Sequence, residues 1–293
     1  MSVAPRLLDA RAVRRNADRA SATYDESAVL QAELRQQMIE RLGWIAFEPA
    51  TVLDLGCGTG HGAMALAARW PKARVVALDF ARGMLQEAAR HDAIGRCERL
   101  CADALSVPLP DAGVDLVFSN LLLPWCEDLD ALFAEVARLL RPRGLFTFTT
   151  IGPDTLAELR EACGDADNGT HVHPFTDMHD IGDGLIRAGL VEPVLDVSRY
   201  TLTYPDLRTL MHELKATGAQ NAAADRRRAL TGRGRMRAIE RAYERYRRDG
   251  VLPASCEVIF GQAWGAVETA KGERDGEFAF PVSAIGRRGM RWQ

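Results

Sequence analysis

The sequence predicts an α/β fold: a seven-stranded, mostly parallel sheet with helices on both faces and a helical cap insertion. Three observations support this prediction. From residue 50 to residue 150, short apolar runs alternate with helical patterns, which is typical of βαβ units and a parallel sheet. Mostly helical patterns over 205–250 then separate the last two apolar runs, as an inserted cap would. The length of 293 residues allows two domains or one large one.

The predicted strands are short apolar runs that end at glycine or polar residues. They cover 51–55, 74–79, 98–102, 114–119, 145–150, 192–197 and 257–264. Helical patterns cover 28–42, 62–70, 81–90, 129–140, 154–162 and 178–188. We therefore expect five segments: an N-terminal helical lid over 1–48, an α/β core over 49–199, a helical insertion over 200–252, the last core strand over 253–267 and a tail over 268–293.

Composition excludes several classes of protein. The chain has 37 basic and 40 acidic residues, a net charge of -3, which is not the strongly basic signature of a nucleic-acid binder. It has neither an apolar signal segment at the start nor 18 consecutive apolar residues, so we expect no export and no membrane span. The six cysteines are then expected to be reduced thiols in the cytoplasm.

A glycine-rich turn follows the first predicted strand and begins a helix, in the stretch Asp54-Leu-Gly56-Cys57-Gly58-Thr-Gly60. Glycine lets the backbone approach a ligand without a Cβ clash, and the helix N-terminus offers free N–H donors and partial positive charge. Gly58-x-Gly60-x-x-Ala63 matches a relaxed dinucleotide fingerprint, but Asp54 at the strand end favours a different ligand class. His61 is expected to face solvent.

The pattern Asp54-x-Gly-x-Gly-x-Gly60 resembles the first motif of the class I S-adenosylmethionine methyltransferases, which have a Rossmann-like fold. The resemblance implies that Asp79 accepts both ribose hydroxyls of S-adenosyl-L-methionine in charge-assisted bonds. It also places Asp103 near the adenine amino group and Asn120 beside the methionine moiety. The other cofactor-binding residues it implies are Asp54, Gly56, Cys57, Gly58, Gly60, Phe80, Met84, Ala104 and Leu121. Asp79 as a helix cap and Asp103 as a surface turn residue are the structural alternatives.

The residues after the fourth strand bear on the methyl acceptor. An adenine-N6 or glutamine methyltransferase would have an Asn-Pro-Pro-Tyr-like stretch there, whereas this chain has Asn120-Leu-Leu-Leu-Pro-Trp125. An apolar lid of this kind fits a small carboxylate or carbon acceptor. Ordinary core packing is the alternative interpretation.

Further stretches resemble the malonyl-acyl-carrier-protein O-methyltransferases of bacterial biotin synthesis over about residues 15–265. They include 20–25, 121–125, 146–150, 152–156, 171–180, 203–206, 214–221 and 230–233. The resemblance implies that the acceptor is the free carboxylate of a malonyl thioester on acyl carrier protein. The methyl ester starts pimelate synthesis, and S-adenosyl-L-homocysteine is the other product. The family needs no metal, and the group over 171–180 (His171, His173, Asp177, His179, Asp180) fits no zinc spacing.

Such a reaction needs positioning more than acid–base catalysis, because a carboxylate with a pKa near 4 is already ionised at pH 7. We therefore expect no general base. Tyr24 is the expected lid residue and His173 a positioning residue, while Trp125 belongs to an apolar wall that excludes water. His173, Arg199 and Lys215 remain alternatives for the group that orients the carboxylate.

Ten arginines lie between Arg226 and Arg248. We expect Arg227, Arg228 and Arg233 to dock the acidic carrier protein, because complementary charge speeds encounter and fixes orientation. A solvated helix face is the alternative. The rival functions are a methyltransferase-fold enzyme with another acceptor, an arginine-hydroxylating assembly factor, and a non-catalytic donor-binding assembly protein. The even charge disfavours RNA methylation, and we expect a monomer without nucleic-acid partners.

Overall fold

The computed structural model describes residues 8–166, 169–226 and 232–267. A seven-stranded sheet runs through its centre in the order β3-β2-β1-β4-β5-β7-β6. The strands are β1 Thr51–Leu55, β2 Arg74–Asp79, β3 Cys97–Cys101, β4 Val114–Asn120, β5 Leu140–Ile151, β6 Leu190–Tyr204 and β7 Leu252–Gly265. Strands β1 to β5 pair in parallel, and β7 pairs antiparallel with β5 on one side and β6 on the other. The predicted fold class is therefore confirmed.

Helices cover both faces of the sheet. They are α1 Ala10–Ala20, α2 Tyr24–Ser27, α3 Val29–Arg41, α4 His61–Arg69, α5 Arg82–His91, α6 Leu129–Leu139, α7 Ala157–Gly164, α8 Met178–Arg187, α9 Leu207–Ala216 and α10 Arg233–Tyr243. Buried side chains of α6 and α8 pack on one face, with Phe133 and Leu185 fully buried. Those of α3 and α4 pack on the other, where Leu34 and Leu66 are fully buried. No helix in the described residues is long and apolar enough to cross a bilayer.

The last two strands are longer than the sequence predicts. β6 and β7 pair from Leu190 opposite Gly265 to Tyr204 opposite Leu252, whereas the apolar runs predict only 192–197 and 257–264. Side chains of the edge strand β6 alternate between exposed and half-buried, so most of its length shows no continuous apolar run. The helical insertion therefore begins after Tyr204 and not at residue 200.

The helical cap is the group of α7, α9 and α10, which packs around the end of β6 and the start of β7. Tyr243 is fully buried there and donates to the carbonyl of Pro253 at 2.8 Å. The sequence predicts that 205–250 is mostly helical, but residues 217–226 are not helical. The prediction that α7 begins at Asp154 is also wrong. Leu156 has a positive φ of 55° and donates its N–H to Ser255, so the helix begins only at Ala157.

The N-terminal lid is formed by α1, α2 and α3. Its first described residue, Leu8, forms an isolated β-bridge with Ala223. The Thr23 hydroxyl donates to the carbonyl of Ala216 at the end of α9 at 3.0 Å. The lid therefore contacts both the core and the cap, and it lies beside the carboxyl ends of the parallel strands.

Candidate functional site

The glycine turn connects β1 to α4 in a left-handed backbone conformation. Gly56, Gly58 and Gly60 have φ values of 78°, 53° and 84°, which favour glycine because a Cβ is strained there. A Cβ on Gly60 would lie 2.8 Å from the Cβ of Ala88, so this position needs glycine for packing. A Cβ on Gly58 would meet nothing within 4 Å. The open space beside Gly58 is where a ligand can approach the backbone.

Asp79 ends β2 directly beside this turn. One carboxylate oxygen accepts the Gly58 N–H at 3.0 Å and the other accepts the Ala81 N–H at 2.8 Å. Burial raises the pKa of Asp79 to about 6. Asp79 thus holds the start of α5, which agrees with the alternative that it acts as a helix cap. It also lines both cavities of the site.

Asp54 lies underneath the turn, and it is not among the described residues that line either cavity. Its carboxylate is 2% exposed, and the Oδ2 atom has no hydrogen-bond partner in the described structure. A Cβ on Gly62 would approach this oxygen to 2.7 Å. Burial raises the pKa of Asp54 to about 7. Its geometry is that of a residue supporting the turn from below.

Two adjoining cavities open at the carboxyl edge of the sheet, with volumes of about 690 and 1230 Å³. Both are lined by Gly56, Asp79, Phe80 and Trp125. The first also contains Tyr24, Gly58, Met84, Asn120, Leu121, His173 and Lys215. The second contains Asp103 and Ala104. The structure therefore brings together most of the residues that the sequence analysis selected.

Asn120, at the end of β4, connects the core to the lid. Its side-chain amide donates to the carbonyl of Gln31 in α3 at 2.9 Å, and its side-chain oxygen accepts from the Thr149 hydroxyl at 2.7 Å. Leu121 has a positive φ of 59°. This strained residue turns the chain sharply and directs the following residues along the cavity wall.

Trp125 and His173 form part of that wall. The ring centroids lie 5.3 Å apart, and the Nε2 atom of His173 is 3.2 Å from the carbonyl oxygen of Pro124. Burial lowers the pKa of His173, so the imidazole is neutral at pH 7. Tyr24 packs beside Phe80 in the apolar cluster of α1 and α5. Burial and the Asp79 charge raise the pKa of Tyr24, so its phenol stays protonated.

Other selected residues lie elsewhere. Cys57 and Gly60 are buried within the turn and are not among the described cavity-lining residues. Arg199 is also outside the described lining, with a 73% exposed side chain whose guanidinium is 3.0 Å from Asp154, so it does not face the reaction space. Arg233 is exposed on α10. Arg227 and Arg228 lie outside the described residues.

The cavity also contains polar residues that the sequence analysis missed. Arg226 lines both cavities and pairs with Asp9 at 3.0 Å. Gln31, Thr155 and Asn221 line the first cavity. They come from three distant parts of the chain, because Asn221 and Arg226 lie in the same stretch, and no local spacing marks them as a group.

These residues fit an adenosyl donor. The Gly58 backbone borders open space, the buried Asp79 carboxylate faces both cavities, and Asp103 and Ala104 border the second cavity. Strand order, glycine turn and acidic strand ends together define a class I methyltransferase.

Comparison with known proteins agrees with this class. The sequence profile described as a methyltransferase domain matches residues 52–144. Two solved structures share the fold: the YcgJ protein from Bacillus subtilis, with a TM-score of 0.55, 17% identity and coverage of 80% of this chain and 98% of that one; and geranyl diphosphate C-methyltransferase from Streptomyces coelicolor A3(2), with a TM-score of 0.51, 17% identity and coverage of 81% and 80%.

Two similar proteins carry the name malonyl-[acyl-carrier protein] O-methyltransferase. The one from Methylovorus sp. (strain MP688) is 49% identical over 265 residues, 88% of this chain and 90% of that protein. The one from Xylella fastidiosa (strain M23) is 45% identical over 284 residues, 95% of this chain and 96% of that protein. The chain belongs to the malonyl-[acyl-carrier protein] O-methyltransferase family.

Proposed function

We propose that this chain transfers the methyl group of S-adenosyl-L-methionine to the free carboxylate of malonyl-acyl carrier protein. The products are the malonyl methyl ester, which starts pimelate synthesis for biotin, and S-adenosyl-L-homocysteine. Beyond family membership, one observation carries this proposal: the cavity at the glycine turn continues into an apolar chamber beneath the cap. Leu159, Leu207, Leu210 and Ile239 line that chamber together with Gly58 and Asp79.

When bound, the donor supplies an electrophilic methyl group on its sulfonium. We assign its ribose to Asp79, and its main-chain contacts to Gly56 and Gly58. Its adenine is assigned to the second cavity beside Asp103, and its methionine moiety to the side next to Asn120. These assignments rest on which residues line which cavity and on the family resemblance of the motifs.

The chain has to position the acceptor and exclude water. The malonyl carboxylate is ionised at neutral pH, so no residue has to remove a proton. The nucleophile and the donor carry opposite charges, which cancel as the transition state forms. An apolar environment therefore favours this reaction more than water does. Leu122, Pro124 and Trp125 provide such a wall. Neutral His173 is held between Trp125 and Phe175, where it keeps the wall in place without adding charge.

We assign orientation of the carboxylate to Lys215. It lines the cavity, and within the described part of the chain it forms no ion pair. Arg226 already pairs with Asp9, and Arg199 faces away. An ammonium ion is a compact point charge, so it can hold the carboxylate by one oxygen and leave the other free to attack.

Lys215→Met tests this assignment, with Lys72→Met as the matched control because Lys72 is exposed and is not among the described cavity residues. Loss of a charge-assisted hydrogen bond of about 1.5–3 kcal/mol predicts a fall in kcat/KM of roughly ten- to a hundredfold. Affinity for adenosylhomocysteine should be unchanged. A Lys215 variant as active as the Lys72 variant would exclude this role.

The activity itself is tested by incubating the enzyme with malonyl-acyl carrier protein and donor and measuring the carrier mass. We expect the carrier to gain the mass of one methyl group. The Asp79→Ala variant should not produce this gain, whereas the surface control His179→Gln should. Rescue of a biotin auxotroph lacking this step should follow the same order. Tight donor binding without turnover on any thioester would favour a non-catalytic assembly protein instead.

We further propose that α10 docks the carrier protein. Arg233, Arg237 and Arg241 recur every four residues, so they lie on one face of the helix. All three are exposed, and none forms an ion pair within the described residues. In contrast, Arg208 and Arg245 nearby are paired with Glu240 and Asp165. A free positive stripe suits an acidic partner.

The matched test compares Arg237→Glu with Arg96→Glu, which makes the same charge change on an exposed loop before β3. Only Arg237→Glu should raise KM for the carrier-bound substrate, by about two- to tenfold at low salt. KM for malonyl-coenzyme A should not change. An equal effect on both substrates would refute docking at α10.

A cytoplasmic location is part of the proposal and is consistent with six free cysteines.

A further inference from the structure

Three potential metal ligands meet behind the glycine turn. They are Asp25 of α2 in the lid, His61 at the start of α4 and His91 at the end of α5. The Nε2 atom of His61 lies 3.3 Å from Oδ1 of Asp25, and the Nε2 atom of His91 lies 3.4 Å from Oδ2. None of the three is among the described residues that line the cavities. The group is therefore separate from the proposed active site.

The hydrogen bonding of His91 determines what its second nitrogen offers. Its Nδ1 atom is 2.9 Å from the carbonyl oxygen of Thr59, and a carbonyl oxygen can only accept, so Nδ1 carries a hydrogen. In the neutral ring, Nε2 then presents a lone pair toward the Asp25 carboxylate. Two facing lone pairs repel each other unless a cation, either a proton on Nε2 or a metal ion, lies between them.

The distances fit a metal ion better than a direct ion pair. A charge-assisted N–H···O bond measures about 2.7–2.9 Å, and both Nε2–carboxylate distances exceed that. Bonds of about 2.0–2.1 Å in a tetrahedral site separate neighbouring ligand atoms by about 3.3 Å. Each histidine Nε2 lies at about this distance from one oxygen of Asp25, 3.3 Å from Oδ1 for His61 and 3.4 Å from Oδ2 for His91. All the ligand atoms lie within 4.8 Å of one another.

The surroundings also suit an ion. The side chains of Asp25, His61 and His91 are 34%, 35% and 30% exposed, which leaves an entry path and room for a water ligand. A metal-bound histidine usually donates its other N–H to a carbonyl or carboxylate, as His91 does to Thr59.

We propose that Asp25, His61 and His91 bind one divalent transition-metal ion of the zinc class, with water completing a tetrahedral site. Two neutral imidazoles and one carboxylate are ligands of the type that Zn²⁺ accepts. Because Asp25 belongs to the lid and the histidines belong to the core, the ion ties α2 to α4 and α5. It takes no part in methyl transfer.

Titration of tag-free, chelator-treated protein with Co²⁺ tests the site, because tetrahedral Co²⁺ absorbs strongly in the visible range. We expect one equivalent to give these bands and one equivalent of Zn²⁺ to abolish them. His91→Gln and Asp25→Asn should each lower the affinity by at least about tenfold. His179→Gln is the matched control, since it removes an exposed histidine that also lies 2.7 Å from an aspartate, Asp177.

Several outcomes would overturn the proposal. One is the absence of visible bands at equimolar Co²⁺. Another is equal affinity in the His91, Asp25 and His179 variants. A strong near-ultraviolet thiolate-to-metal band would also do so, because it would place the ion on a cysteine such as the exposed Cys101. Circular dichroism shows whether each variant is folded, and His61→Gln replaces any variant that is not. Its affinity should fall to the same extent.

Discussion

Gly58 and Gly60 differ in what surrounds them, and this difference predicts two distinct failures when each becomes alanine. Both have positive φ, at 53° and 84°. A Cβ on Gly58 projects into open space beside the cavity, whereas a Cβ on Gly60 meets Ala88 at 2.8 Å. Gly95 supplies a control, because it has a φ of 66°, an open Cβ position and no place among the described cavity residues.

The magnitudes follow from these contacts. Placing alanine in a left-handed conformation costs about 1–2 kcal/mol, so Gly58→Ala and Gly95→Ala should lose equal stability. Gly60→Ala adds overpacking of about 1–3 kcal/mol, for a total of about 2–5 kcal/mol. Only Gly58→Ala should weaken donor binding, because its methyl keeps the ligand away from the backbone. Loss of one charge-assisted contact predicts roughly ten- to a hundredfold weaker binding.

Urea denaturation of the three variants measures the stability losses, and calorimetric titration with S-adenosyl-L-homocysteine measures the binding. Gly95→Ala should bind the nucleoside as the wild type does. If Gly58→Ala bound it with unchanged affinity, the donor would not lie against the turn and the proposed active site would be misplaced. If Gly60→Ala lost no more stability than Gly95→Ala, the packing argument would fail.

Three further predictions follow from buried contacts. Burial raises the pKa of Asp54 from 3.8 to about 7, so between these values the folded state keeps a proton that the unfolded chain loses. The free energy of unfolding should therefore fall as the pH rises from about 4 to about 7. Urea denaturation at a series of pH values should show a smaller fall for Asp54→Asn. Asn120→Ala removes the bond to Gln31 and should speed amide exchange in α3 without lowering the global melting temperature by more than a few degrees. Gly261→Ala should lose about 3 kcal/mol, because its Cβ would lie 2.1 Å from the Phe148 ring; a loss below about 1 kcal/mol in urea would contradict this.

The sequence is sufficient to bring the residues of the proposed donor side together, because that side is local. The glycine turn, Asp79 and Asn120 each follow a buried strand, and parallel strands bring their carboxyl ends to one edge of the sheet. A strand pattern and a short spacing therefore suffice to place these residues together. Asp54 is the exception, because spacing alone does not show that its side chain turns beneath the loop and away from the cavity.

The acceptor side is not local. Lys215 and Arg226 reach the cavity through the packing of the cap and lid. The sequence leaves Lys215 as one of three alternatives and does not select Arg226. Residue type alone makes Arg199 a candidate, but its side chain points outward from the edge strand and pairs with Asp154. His61 was expected to face solvent, yet its ring stacks on His91 with centroids 4.6 Å apart. Such contacts depend on long-range packing, and no characteristic spacing in the sequence predicts them.

The lid contacts explain why donor binding and lid position should be coupled. Asp18 accepts the Gly83 N–H at 2.8 Å, Asp25 accepts the Thr59 hydroxyl at 2.6 Å, and Asn120 donates to Gln31. These contacts join the lid to the ends of the same strands that form the proposed donor site. A donor at the proposed site would contact the same strand ends that hold the lid, so we expect donor binding and lid position to be coupled, and by linkage the coupling acts equally in both directions. A lid held in this position would keep water away from a filled cavity, as methyl transfer to a carboxylate requires.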